Sequence, residues 1–79
     1  MAPEELLIEL KIDVKLRVEQ TLQAIYDVCV EQKKRGISDF SFSTIARLGE
    51  GRGVPKAQSI RNKTGEPYRA LIKCFEDNE

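Results

Sequence analysis

Gln58, Arg61 and Asn62 stand within about one helical turn of each other, with Lys56 and Lys63 on either side. These side chains can read base edges: amides bond bidentately to adenine, and Arg61 or Lys56 can reach guanine. Gln58 and Asn62, four residues apart, share one face of a helix. Arg47, Arg52, Lys63 and Arg69 flank this group and are of the type that grips phosphates, fixing register without reading sequence. With Ser59, which points from the same stretch, nine candidate DNA-binding residues result. The bland reading of the same residues is a helical hairpin whose polar face is simply wet.

The charge pattern agrees with the first reading, although the 79 residues sum to zero. The first forty residues carry a balance of −2, Ser41 to Phe75 carry +5, and the acidic end from Glu76 to Glu79 removes three. A basic stretch in an otherwise acidic chain attracts polyanions. Other chemistry is poorly supplied. There is no histidine, which removes the commonest general base and the commonest metal ligand. Cys29 and Cys74 form no CxxC pair and no disulfide framework, so small buried thiols are expected, and no metal or cofactor. Gly49, Gly51 and Gly53 evoke a phosphate cradle, but the pattern is GxGxG without a Walker lysine or a preceding strand. Ser59 and Lys63 have the spacing of a Ser/Lys pair without an arguable oxyanion site, and Tyr26 and Tyr68 lack a recombinase constellation. A non-enzymatic binding role follows. No secretory segment and no apolar run of about 18 residues is found, so a cytoplasmic protein without membrane contact is expected.

The elements that must position these residues are helical. Val18, Leu22, Ile25 and Cys29 recur at steps of four, three and four, and Lys33, Lys34, Arg35 and Gly36 supply a cationic, glycine-capped end. This predicts a long helix over 13–35. Ser41 is a good N-cap for a short helix, Phe42 to Leu48, with Phe42, Ile45 and Leu48 on one face. A glycine-rich turn follows, then a helix opened by Pro55 and running to Lys63. Tyr68, Leu71, Ile72 and Phe75 form the stripe of a last helix with Pro67 in its first turn. Upstream, Ile8, Leu10, Ile12, Val14, Leu16 and Val18 alternate with charged residues, the period of a strand. Residues 1–12 then form an N-terminal arm, and 7–17 are strand or helix. Both choices favour a homodimer through this apolar segment.

From Asp39 to Ile72 the stretch DFSFSTIARLGEGRGVPKAQSIRNKTGEPYRALI resembles the amino-terminal region of the gamma-mobile-trio family. Its members are encoded beside tyrosine-recombinase integrases in bacterial mobile elements. The most specific part runs from Gly53 to Gly65, followed by Tyr68-Arg69-Ala70-Leu71. With the less distinctive Leu22–Gly36 region, the resemblance covers roughly two thirds of the chain. The layout is also similar to the DNA-binding region of KfrA-type plasmid proteins, in pattern only. The resemblance implies an association with DNA mobility, without an assigned catalytic residue. If the family's members are longer, this chain is a domain of a larger protein.

The expected fold is all-α: a single small domain over 1–79, with one long N-terminal helix followed by a helix-turn-helix-like three-helix unit over 42–76. The expected function is binding of double-stranded DNA through the Pro55–Lys63 helix in the major groove. The turn from Gly49 to Val54 is longer than the usual three or four residues of that motif. The main alternative is a dimeric adaptor that docks on an integrase or another element-encoded protein. A third reading, a ribbon-helix-helix relative, requires β structure at residues 8–16.

Overall fold

The computed structural model describes residues 2–77, which are helical and contain no strand. Pro3 opens α1 (Pro3–Leu10), and Glu4 and Glu5 sit in its first turn, where the positive end of the helix favours acids. Leu7 is buried and Leu6 and Leu10 are half-buried, while Ile8 faces outward. The expected arm, and the strand reading of 8–16 with it, are thus replaced by a helix and a corner. The long helix, α2 (Leu16–Lys34), begins three residues later than expected. Asp13, with φ at 58°, occupies the left-handed region that short polar side chains tolerate and turns the chain between the two helices.

The period-two alternation has a physical explanation in this corner. Leu10 and Val18 pack against the core and Val14 is half-buried, whereas Ile8, Ile12 and Leu16 remain exposed. Apolar residues every second position were therefore two sets of period four, one inside and one outside. Within α2, Leu22, Ile25, Val28 and Cys29 are buried, and Gln32 is the one buried polar side chain among the described residues. Gln32 donates from Nε2 to the Asp39 carbonyl at 3.1 Å, which pins the connection after α2 and sets Phe40 into the core.

Ser41 caps α3 (Phe42–Leu48) by accepting the Thr44 N–H on its hydroxyl. Chain 49–56 then leads to α4 (Ala57–Arg61), a one-turn 3-10 segment (Lys63–Gly65) and α5 (Glu66–Asp77). The helix expected from Pro55 to Lys63 is therefore shorter at both ends. Lys56 is extended (ψ 156°) and is the cap residue, while half-buried Pro55 lies beside Arg17, Thr21 and Tyr68, outside the helix. At the other end Asn62 leaves helical geometry with ψ at 162°. Gly65 passes so close over α4 that a Cβ there would overlap the carbonyl oxygens of Ile60 and Ser59.

The core lies between α2 and α5, closed by α1 on one side and by α3 and α4 on the other. Leu71, Ile72 and Phe75 enter it from α5, Ile45 from α3 and Ile60 from α4. Phe75 meets Tyr26 with ring centroids 5.5 Å apart and Phe40 at 6.1 Å. Such aromatic contacts add about 0.5–1.5 kcal/mol each beyond the area they bury. No helix among the described residues is long and apolar enough to cross a membrane.

Candidate nucleic-acid interface

A five-residue helix has too few internal hydrogen bonds to persist alone, so α4 depends on its surroundings. Ile60 anchors it, fully buried under α5. Arg69 closes its end: Nη1 donates to the carbonyl of Ile60 at 2.8 Å and to that of Asn62 at 2.5 Å. The Asn62 carbonyl also accepts the Gly65 N–H at 2.8 Å, so the guanidinium joins the end of α4 to the 3-10 turn that follows. Arg69 is half-buried in this position and is a structural strut, where the sequence had suggested a phosphate contact.

Arg52 is also engaged. It forms an ion pair with Glu31 of α2, tying the 49–56 connection to the long helix, with both side chains 45% exposed. The guanidinium holds the Glu31 carboxyl below the usual carboxylate range, chiefly through their hydrogen bond. Inside the same connection Val54 packs so closely over Gly49 that any Cβ there would overlap its side chain. Two of the nine candidates, Arg52 and Arg69, therefore shape the site from within.

The other seven are exposed. Arg61 reaches across to α3 and donates from Nη2 to Ser43 Oγ at 3.1 Å. That contact sets the end of α4 beside the start of α3. At the opposite ends of the two helices, Arg47 and Lys56 line one groove of about 460 Å³ with Ala46, Ala57 and Val54. Arg47, Lys56 and Arg61 thus belong to one α3–α4 face, and Glu50 is an acidic member of the groove they border. Gln58 and Asn62 remain one turn apart, because the Asn62 N–H still closes on the Gln58 carbonyl at 3.1 Å. Ser59 belongs elsewhere: it lines a second hollow with Arg17, Thr21, Thr64 and Tyr68, against the start of α2. Lys63 begins the 3-10 turn just beyond α4.

Asp39 organises the start of α3. Its carboxylate accepts the Thr44 hydroxyl at 2.7 Å and the Ser41 N–H at 3.1 Å, and Ser41 donates its hydroxyl to Thr44 at 2.9 Å. The Thr44 bond, then the Ser41 bonds and Arg47, hold the Asp39 carboxyl below its ordinary range. Sequence reading missed Asp39 and Ser43, although Asp-x-Ser-x-x-Thr is itself a capping pattern in retrospect. It also missed Arg17, which comes from α2 to border the hollow at Ser59. Cys29 is fully buried, and desolvation pushes its thiol up to about 12. A protonated, enclosed thiol is neither nucleophile nor ligand.

Chemically, the arrangement offers a donor-rich face beside an open groove. No family model matches the chain, and neither a curated protein nor a solved structure does so.

Proposed function

We propose that this chain is a small, non-enzymatic DNA-binding domain of helix-turn-helix type. The single observation that carries the reading is the gathering of Arg47, Lys56 and Arg61 on one α3–α4 face. In this reading α3 and α4 are the paired helices, with α2 behind them, and α5 supplies the support under α4. Gln58, Arg61 and Asn62 meet base edges in the major groove, and Arg47, Lys56 and Lys63 meet phosphates on either side. Ser59 borders the neighbouring hollow and hydrogen-bonds a phosphate at its rim without adding a charge contact. Arg52 and Arg69 act indirectly, by holding the connection and the helix end in place.

The sequence resemblance to the gamma-mobile-trio proteins supports placing this activity in a mobile genetic element, in the cytoplasm, beside an integrase. An unusually short second helix and a long turn mean that few base contacts are available. Affinity then rests mainly on phosphates, with modest sequence preference.

Fluorescence anisotropy with duplex DNA tests the reading. Arg47→Ala, Lys56→Ala and Lys63→Ala each remove one phosphate contact and lower the slope of log affinity against log salt by about 0.9. Arg61→Ala and Asn62→Ala weaken binding to a preferred sequence more than to a random one. Unchanged affinity in all five variants would remove the assigned surface.

A second reading, an adaptor that docks on an integrase or other element-encoded protein, is favoured by one observation. Ile8, Ile12 and Leu16 are all more than 60% exposed. It predicts capture of such a partner without DNA, lost in Ile12→Asp. Leu10 is not a suitable probe, because it packs against the core.

A further inference from the structure

Between α4 and the start of α2 lies a hollow of about 340 Å³ that the DNA reading touches only at its rim, through Ser59. Four stretches of chain build it: the first turn of α2, the connection before α4, α4 itself, and the passage from the 3-10 turn into α5. Half-buried Val18 and Pro55 give it apolar walls, and Arg17, Thr21, Thr64 and Tyr68 bring polar groups.

Its charge sets it apart. The groove beside Arg47 contains Glu50, the small hollow beside Arg52 contains Glu31, and the hollow beside Lys33 and Lys34 contains Glu4. Each of those places an acid among its bases. Here Arg17 is the one charged lining residue, and Glu19 and Glu66, in the first turns of α2 and α5, stand outside. Thr21 spends its hydroxyl proton on the Arg17 carbonyl at 2.9 Å. The side chains of Arg17, Thr64 and Tyr68 have no hydrogen-bond or ionic partner among the described residues. No buried side-chain polar atom of those residues is left unpartnered, so these donors are open to solvent.

A guanidinium and two free hydroxyls, with no acid beside them, call for an anion rich in acceptor oxygens. A phosphate monoester supplies three terminal oxygens and close to two charges, and a guanidinium grips two of those oxygens as a fork. A carboxylate, or a diester of the DNA backbone, offers fewer oxygens and a single charge. We propose that the hollow binds a small phosphate monoester. Its phosphate pairs with Arg17 and accepts the hydroxyls of Thr64 and Tyr68, and its organic group lies on Val18 and Pro55. The volume is at the small end of ligand sites, which run from about 300 to 1,000 Å³, so the organic group is about one ring in size. One exposed guanidinium and two hydroxyls give a dissociation constant on the order of 1 mM. The proposal does not rest on the DNA reading.

NMR titration of the amide signals of the 79-residue chain, without DNA, tests it with phenyl phosphate as the probe. Saturable shifts are expected at Arg17, Thr21, Thr64 and Tyr68, several-fold weaker binding of benzoate, and none of phenol. Arg17→Gln should weaken phenyl phosphate by about 10-fold, the loss of a charged hydrogen-bonding partner. Thr64→Val, at an exposed position, should weaken it a few-fold, and the amide spectrum of each variant establishes that the fold is kept. Absence of saturation up to about 20 mM, some twenty times the expected constant, overturns the proposal. So do equal binding of benzoate and shifts that are as large at Arg47, Lys56 and Lys63. A second arm separates a free ester from backbone phosphate. Arg17→Gln should leave the salt slope of duplex binding unchanged, whereas a slope lowered by about 0.9 gives Arg17 to the DNA backbone and overturns the small-ligand assignment. Failure of duplex binding itself leaves the phenyl phosphate titration fully readable.

Discussion

Asp39 illustrates how one side chain connects local structure to the candidate interface. It holds Thr44 and Ser41, so that α3 starts where Arg47 and Ser43 can face α4. Its carboxyl lies below the ordinary value, so its ionised form stabilises the folded state. That contribution is fully present above the unfolded value of about 3.9 and is lost as pH falls through the lower folded value. Carboxyl NMR titration should place Asp39 below the ordinary aspartate value, and Thr44→Val should move it back upward. Cys29 represents the opposite situation, a group whose chemistry is suppressed by burial. In a Cys74→Ser background, a thiol reagent should label Cys29 at least ~10³-fold more slowly in the native protein than in denaturant. Rapid native labelling would show that the α2–α5 core opens readily.

At the scale of the elements, the short α4 is the most dependent part of the molecule. Gly65 must be a glycine because α4 passes directly beneath it, with backbone oxygens where a Cβ would sit. Gly65→Ala should cost about 1–3 kcal/mol, measured by urea denaturation, through overpacking against groups that cannot rotate away. An effect below half a kcal/mol would mean that the end of α4 is loose. The helical stripes of α2 and α5 were legible in the sequence because each buries one face against the other, which is what a 3.6-residue period encodes. The Phe42–Leu48 helix was legible from Ser41 and its own apolar face. The corner at Asp13 was not, because two helices meeting there scramble their separate periods into an apparent alternation. The length of α4 was not legible either: Arg69 and Gly65 end it from outside, and neither is local to its pattern.

For the whole molecule, the same distinction separates the part of the candidate site that residue type foretold from the part it did not. Residue type marked nine polar or basic positions, of which eight are exposed and only Arg69 is half-buried. Tertiary structure reassigns Arg52 to Glu31 and Arg69 to the Ile60 and Asn62 carbonyls, because a guanidinium near an acid or a cluster of helix-end carbonyls bonds inward. It also turns Ser59 away from the Arg47–Lys56 groove. What remains is a face with Arg47, Lys56 and Arg61 as its cations, and an exposed Lys63 just beyond α4. Its most direct test is fluorescence anisotropy with a mixed-sequence duplex and with duplex from a mobile-element end, at ~50 and ~200 mM salt. With three phosphates neutralised by Arg47, Lys56 and Lys63, affinity per bound copy should fall about 40-fold between the two salts. A preference for the element end would add sequence reading by Gln58, Arg61 and Asn62. Absence of binding at ~50 mM salt, or binding indifferent to salt, would contradict the account and leave the basic face an ordinary solvated surface.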